Sequence, residues 1–301
     1  MHVDNRPLVH IGMPKCASTW LQKHFFRPRN GFREAVSTHY AYFGFIHEDS
    51  FQWTSRRDQI DLATPDDLVP VMSAEALAGN PLTGGHDGER NLSRIHSALP
   101  EARILIVIRE QESMMRSLYK LLINFGYPYR IGTVLENKLA GNMPTFTLQY
   151  LYYHHIIAAY QQMFGADSVL VLPYEAFQVE PSVFLEQVRR FCEVDIEARP
   201  LKVDLHKREN INRSLVSIEI KRIYNRYIAR TRFSVGGLVN PGQISGKGNF
   251  DPYVPQLLER CLERRFRQQV QKKTCGFYAE SNAQTQRLTG LDLAAYGYQL
   301  P

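Results

Sequence analysis

The hydrophobic positions of this chain fall into short, widely spaced apolar runs. Residues 8–11, 104–108 and 169–172 are aliphatic without interruption or nearly so, which is typical of parallel strands buried on both faces. Residues 69–73 form a fourth run, but Pro70 lacks the N–H that a sheet ladder needs. The pattern therefore predicts three buried strands and a weaker fourth.

Amphipathic helical patterns alternate with these runs. In one of them Phe184, Val188 and Phe191 share a single apolar stripe at helical spacing. Helices are predicted over residues 19–26, 113–122, 145–164 and 182–191. Because strand followed by helix repeats, the sequence predicts an α/β fold with a central parallel sheet covered by helices on both faces. Ligands of such sheets bind at the carboxyl ends of the strands.

Between the predicted elements the chain has long stretches rich in turn residues. Residues 27–67 and 124–144 combine turn residues with aromatics, and we interpret them as excursions from the sheet; residues 236–252 form a further loop. The sequence has no repeat and no linker-like composition. We therefore expect one domain over residues 1–301.

Composition narrows the class of protein without selecting a function. Hydrophobic content of 44% and charged content of 22% are ordinary for a soluble globular protein, and the longest apolar run is far shorter than the ~20 residues of a membrane span. The four cysteines stand far apart with no metal-ligand spacing, which predicts a reduced, cytoplasmic protein without a metal site.

The net charge of +6 is compatible with an anionic ligand but does not identify one. The basic residues are dispersed, and the small cluster Arg264, Arg265 and Arg267 is typical of a solvated helix face. No motif of nucleic-acid-binding proteins is present, so we expect no nucleic-acid partner.

The first predicted strand runs directly into the stretch "GMPKCAST", Gly12 to Thr19. Such a turn between strand and helix directs backbone N–H groups at one point, where Lys15 adds a positive charge and Ser18 and Thr19 add hydroxyl donors. Phosphate is the expected ligand. The Walker pattern GxxxxGK[ST] does not fit, because Lys15 precedes the small residues. A plain turn in which Ser18 caps the helix remains an alternative.

The loop resembles the 5′-phosphosulfate loop of the sulfotransferases that use 3′-phosphoadenosine 5′-phosphosulfate (PAPS), approximately GxPKxGTTxL. "VIREQESMMRSLYKLL" resembles the 3′-phosphate motif of this family, in which an Arg at a strand end is followed eight positions later by a Ser; Arg109 and Ser117 have this spacing. The resemblance implies a P-loop NTPase-like sulfotransferase fold and extends, more weakly, over most of the chain.

The resemblance also implies which residues bind the donor PAPS and the product 3′-phosphoadenosine 5′-phosphate (PAP). "VLVLPYEAF" is similar to a family segment whose Tyr helps to hold the nucleotide, and "GKGNFDP" to a later loop on the 3′-phosphate. The implied binding residues are Lys15, Cys16, Ala17, Ser18, Thr19, Trp20, Arg109, Ser117, Tyr174, Lys247 and Gly248. Two positions depart from the family: Ala17 stands where Gly is usual, and Gln111 where Pro often follows the Arg. A Cβ at position 17 resists positive φ.

As in the carbohydrate and bacterial branch of the family, the implied reaction is metal-free O-sulfation by a carboxylate base. Lys15 would stabilise the charge that grows on the bridging oxygen. Glu75 in "VMSAEAL" resembles the branch's base, while His39 in "STHYAYFG" resembles a base of the cytosolic branch. The alternative to a catalytic role is that Glu75 is an ordinary acidic residue at the start of a helix, where it interacts with the helix dipole.

The sequence leaves the acceptor open between a hydroxylated glycan and a small natural product. Aromatic and histidine residues are available to line its pocket: Tyr40, Tyr42, Phe43, Phe45, Trp53, Tyr127, Tyr129, Tyr152, Tyr153, His154 and His155. O- versus N-sulfation and the oligomeric state are equally open. Two other functions remain: a P-loop kinase-like phosphotransferase, which would need Mg²⁺ and ATP, and a non-catalytic binder of nucleotides or polyanions.

Overall fold

A computed structural model describes most of the chain. The described residues are 6–37, 60, 68–136, 145–205, 207, 209, 213–231, 233–234, 237–239, 251 and 254–301. Three residues that the sequence analysis selected, His39, Lys247 and Gly248, lie outside them and stay predictions.

The described strands form one parallel sheet flanked by helices. The five strands are β1 (Leu8–His10), β2 (Phe32–Val36), β3 (Val69–Ser73), β4 (Arg103–Ile108) and β5 (Val169–Pro173). Their order is β2-β3-β1-β4-β5, and every pairing is parallel. The predicted α/β class with a central parallel sheet is thus confirmed. Since β1 lies between β3 and β4, the segments that follow these three strands emerge at one edge of the sheet.

Strand β3 forms in full despite its proline. Pro70 pairs with Arg33 of β2, next to a register irregularity between Glu34 and Val36. All five residues of β3 are buried. Burial of this apolar segment between β1 and β2 therefore outweighs the missing N–H of Pro70, which a locally irregular ladder tolerates.

Strand β2 was not predicted, because it lies within the stretch interpreted as an excursion. Its sequence, FREAV, buries only the first and last residues and leaves the three between them partly or fully exposed. An edge strand with this composition lacks the continuous apolar run by which the other strands were recognised.

The helices, in chain order, differ from the predicted ones in number and at their ends. They are α1 (Ser18–Trp20), α2 (Gly88–Ala98), α3 (Gln111–Asn124), α4 (Ile131–Glu136), α5 (Tyr153–Phe164), α6 (Tyr174–Val179), α7 (Pro181–Phe191), α8 (Leu215–Tyr227), α9 (Gln256–Thr274) and α10 (Ala279–Thr289). The predicted helix over 19–26 is a short α-helical turn that continues as a π-helix, Leu21–Phe25. The predicted helix over 145–164 begins as a 3₁₀ turn, Leu148–Leu151.

Six of the described helices, α2, α4, α6, α8, α9 and α10, were not predicted. Helix α9 is long but mostly polar, and of its residues only Phe266, Val270 and Thr274 are buried. Its apolar stripe is therefore too narrow to be recognised from periodicity. No helix in the described part of the chain is long and apolar enough to cross a lipid bilayer.

Candidate functional site

The turn that follows β1 has an unusual backbone. Lys15 and Ala17, two positions apart, have φ angles of 64° and 61°, in the left-handed region that non-glycine residues rarely occupy. Residues of positive φ here alternate with a residue of negative φ, Cys16. This alternation turns successive backbone N–H groups toward a common point, where an anion is favoured. Ala17 therefore takes a conformation that glycine adopts without strain, at a cost of roughly 1–2 kcal/mol.

Ser18 and Gly12 lie against each other inside this turn. The Ser18 hydroxyl is buried and has no hydrogen-bond partner among the described residues. A Cβ on Gly12 would lie 2.4 Å from Ser18 Oγ, so only glycine fits at that position. The turn thus holds a hydroxyl with unused hydrogen-bonding capacity beside the free N–H groups.

A buried polar network anchors the end of β1. The imidazole Nδ1 of His10 and the hydroxyl of Ser73 are 2.8 Å apart, and Gln22 donates to the Ser73 carbonyl and hydroxyl oxygens at 3.0 and 3.1 Å. Burial lowers the pKa of His10 to about 3, so the ring is neutral. This network ties β1, β3 and the π-helix together beneath the turn. No local sequence pattern indicates this network, since only the register His10↔Ser73 brings the two residues together.

Arg109 connects the two motifs. Its Nη1 donates to the carbonyl oxygen of Lys15 at 3.0 Å, and its Nε donates to the Ser113 hydroxyl at 2.8 Å. The guanidinium carbon lies 4.7 Å from the centre of the Tyr174 ring, within cation–π range. Tyr153 donates its hydroxyl hydrogen to the carbonyl oxygen of Arg109 at 2.6 Å.

A cavity of about 300 Å³ opens beside these residues, between α3 and α9. Arg109 and Ser117, the pair implied by the resemblance to the 3′-phosphate motif, both line it. Ser117 is buried from bulk solvent and lies on the face of α3 that lines the cavity.

Glu75 begins a 3₁₀ turn, Glu75–Ala78, almost directly after β3. The carboxyl group is half-buried. Desolvation by burial raises its pKa, and the positive charge of Lys15 acts in the opposite direction. The two side chains are therefore near enough to interact across the strand ends, although β1 and β3 are far apart in sequence.

Cys16 and Trp20 are packed inside the protein. The Cys16 thiol is fully buried, lies 3.6 Å from the Pro14 carbonyl oxygen, and has its pKa raised by desolvation, so it stays protonated. Only its backbone is available to an anion. The Trp20 ring lies 5.0 Å from that of Phe177 and donates from Nε1 to the Lys207 carbonyl oxygen at 2.9 Å. Thr19 is half-buried next to it.

A second cavity, of about 260 Å³, is lined by Met13 and by residues of α2 and α5. Tyr152 and His155, two of the aromatic and histidine residues selected as acceptor-pocket candidates, line it. Tyr153 does not, because it is fully buried and holds the backbone of Arg109. The candidates at positions 40–53 lie outside the described residues.

The described parts of the chain contain no cluster of three or more His, Cys, Asp or Glu side chains that could hold a metal ion. The arrangement is that of an α/β protein with a turn of left-handed residues after its central strand and a basic residue, Arg109, after the neighbouring strand.

Residues 89–198 match the sequence model of the sulfotransferase family. This match, which covers less than half of the chain, supports the predicted similarity to the sulfotransferases. The matched region contains Arg109, Ser117 and Tyr174, whereas the turn at Lys15 precedes it.

A crystal structure of a sulfotransferase from Alicyclobacillus acidocaldarius is among the similar solved structures. It shares 14% sequence identity with a TM-score of 0.48, and the alignment covers 73% of this chain and 94% of that one. No curated protein matches the chain with significant similarity.

Proposed function

We propose that this protein is a PAPS-dependent O-sulfotransferase of the cytoplasm, in which PAP is the product and no metal takes part. The observation that carries the proposal is the hydrogen bond from Arg109 to the carbonyl oxygen of Lys15. It joins two anion-binding elements, which suits a nucleotide with phosphates at both its 5′ and 3′ positions. The cytoplasmic location is proposed because all four cysteines are unpaired.

The residues fit such a donor at both ends. The backbone of Cys16 and Ala17, the Lys15 ammonium group and the Ser18 hydroxyl would hold the 5′-phosphosulfate, and the unpartnered state of that hydroxyl supports this assignment. Thr19 and Trp20 stay predicted contacts.

At the other end, Arg109 and Ser117 would bind the 3′-phosphate inside the 300 Å³ cavity. Tyr174 would act by holding the guanidinium of Arg109 in place. Lys247 and Gly248 stay predicted contacts as well.

Bound PAPS supplies the sulfuryl group and a phosphate leaving group. Lys15 would stabilise the negative charge that develops on the bridging oxygen as the bond to sulfur breaks. Glu75 would accept the proton of the acceptor hydroxyl, since it lies at the same edge of the sheet as Lys15 and its raised pKa makes it a stronger base than an ordinary carboxylate. His39 is the second candidate for this role.

The 260 Å³ cavity beside Met13 is the proposed entry for the acceptor. Its wall contains Tyr150 and Ala78, which ends the turn that Glu75 begins. Burial raises the pKa of Tyr150, and the charges of Asp87 and Glu75 add to the effect, so this wall is within electrostatic range of the proposed base. Aromatic walls suit a hydroxylated ring, whether of a sugar or of a small natural product.

The test is a comparison of two nucleotides by calorimetry. PAP without metal should bind at least tenfold more tightly than ATP with Mg²⁺, because Arg109 and Ser117 address a 3′-phosphate that ATP lacks and one charge-assisted contact contributes ~1.5–3 kcal/mol. Equal or tighter binding of Mg-ATP would favour the kinase-like alternative. Transfer of labelled sulfate from PAPS to a panel of hydroxylated acceptors then separates the enzyme from a non-catalytic binder.

A further inference from the structure

The cavity between α3 and α9 is lined by more charged groups than the two predicted contacts. The charged residues around it are Arg109, Glu110, Glu112, Arg116, Lys120, Glu263 and Arg267. Four are basic and three are acidic. The charge available to a ligand depends on which of them form ion pairs with one another.

Each of the three carboxylates has a partner. Glu110 caps α3 by accepting the backbone N–H groups of Glu112 and Ser113, both at 2.8 Å. Glu112 accepts from the Gln271 amide at 3.3 Å. Glu263 forms an ion pair with Arg116 across the cavity. Only Glu263 is paired with a cation, Arg116; Glu110 and Glu112 accept hydrogen bonds from neutral groups and keep their negative charge.

The other three cations have no such neutralisation. Arg109 donates only to neutral oxygens, and the Lys120 ammonium group donates to the Arg213 carbonyl oxygen at 2.6 Å. Arg267 forms no ion pair or hydrogen bond with the parts of the chain that the structure describes. Three positive charges therefore line one cavity without a direct ion pair to a carboxylate of the described residues, although Glu175 acts on Arg109 from a greater distance.

Burial and the other basic groups around the cavity lower the pKa of two of these residues, Arg116 and Lys120. Burial lowers the pKa of Arg116, and the charges of Arg267 and Arg109 lower it further, against the opposing effect of Glu259. Burial and Arg116 lower the pKa of Lys120 to about 8, opposed by Glu259 and Asp251. A doubly charged anion in the cavity would relieve this repulsion.

We propose that Lys120 and Arg267 bind the 3′-phosphate of the donor together with Arg109 and Ser117, and that they set the preference for a 3′-phosphorylated nucleotide. This inference rests on the proposed function. Lys120 is three positions after Ser117 and so lies on the same face of α3. Helix α9 supplies Arg267 from the opposite wall, in a cluster that by sequence alone resembles a solvated helix face.

The test compares PAP with adenosine 5′-phosphate, which lacks the 3′-phosphate, by calorimetry. Lys120→Met keeps the length and the apolar stem of the side chain but removes its charge. Arg267→Ala truncates an exposed side chain, so its folding is secure even if Lys120→Met, which loses the contact to Arg213, is destabilised. Arg264→Ala is the control, because Arg264 is exposed on the same helix and does not line the cavity.

We expect each of the first two variants to bind PAP about tenfold more weakly and adenosine 5′-phosphate within twofold of the original affinity, whereas Arg264→Ala changes neither. Suppose that the unaltered protein prefers PAP, but that Arg267→Ala and folded Lys120→Met bind PAP with unchanged affinity. This result overturns the inference and leaves the proposed function standing. Equal losses for both nucleotides also overturn it. If the unaltered protein does not distinguish the two nucleotides, the proposed function itself fails.

Discussion

Arg109 donates a hydrogen bond of 3.0 Å to the carbonyl oxygen of Lys15, a residue 94 positions earlier in the chain. The contact exists because β1 and β4 are neighbours in the sheet, so that the segments after them meet. The guanidinium consequently stabilises the strained turn and faces the cavity at the same time. The two ends of the proposed donor site are therefore one connected structure rather than two separate loops.

Lys15→Ala is expected to lower turnover at saturating PAPS by at least ~10²-fold, with a smaller loss in PAP affinity. The ammonium group acts most strongly on charge that develops only in the transition state. The substitution keeps the Cβ and so does not change the backbone preference of the turn. Lys23→Ala is the control, because Lys23 is exposed and paired with Glu209. Single-turnover kinetics with unchanged rates for Lys15→Ala would remove this role.

Glu75→Gln is expected to lower turnover ~10²–10⁴-fold while PAP affinity stays within about threefold. The amide keeps the shape of the carboxylate but cannot accept the proton. Because burial raises the pKa of Glu75, the acidic limb of the pH profile of kcat should lie above the ordinary glutamate value of about 4.3. Near-normal turnover in Glu75→Gln, with an inactive His39→Asn that still binds PAP, would assign the base to His39.

Ala17→Gly is expected to raise the free energy of unfolding by up to ~1 kcal/mol without weakening PAP binding. Ala17 has a φ of 61°, which glycine adopts without strain, and the gain is reduced by the greater entropy of glycine in the unfolded chain. Denaturant melts of the two proteins measure the difference. A clear destabilisation would show that the Ala17 methyl group makes packing contacts that outweigh the backbone strain.

Tyr174→Leu is expected to weaken PAP binding threefold to about tenfold, whereas Tyr174→Phe should stay close to the original affinity. The ring holds the Arg109 guanidinium at 4.7 Å, and such a contact contributes ~0.5–2 kcal/mol. Calorimetry with PAP separates the two variants. If Tyr174→Phe binds as weakly as Tyr174→Leu, the hydroxyl group and not the ring is the part that matters.

Several features of this protein follow from local sequence alone. The uninterrupted apolar run that becomes β4 is typical of a buried parallel strand, and all six residues of β4 are buried. The spacing of Arg109 and Ser117 places them at a strand end and on the following helix in any α/β fold. The resemblance of "GMPKCAST" to a phosphate-binding turn likewise depends only on neighbouring residues.

Other features depend on contacts between distant segments, which no local pattern encodes. Strand β2 and helix α9 have too little apolar surface to be recognised, and they are stable because the sheet and α3 provide the surfaces on which they pack. For the same reason Arg267 resembles a solvated surface residue until α9 is placed across the cavity from Lys120. The sequence by itself determined four of the five described strands, their order along the chain and the residue types of the two motifs. Only the tertiary structure decided that Lys15, Glu75 and Arg109 meet, because the side-by-side order of β3, β1 and β4 is set by packing and not by position along the chain.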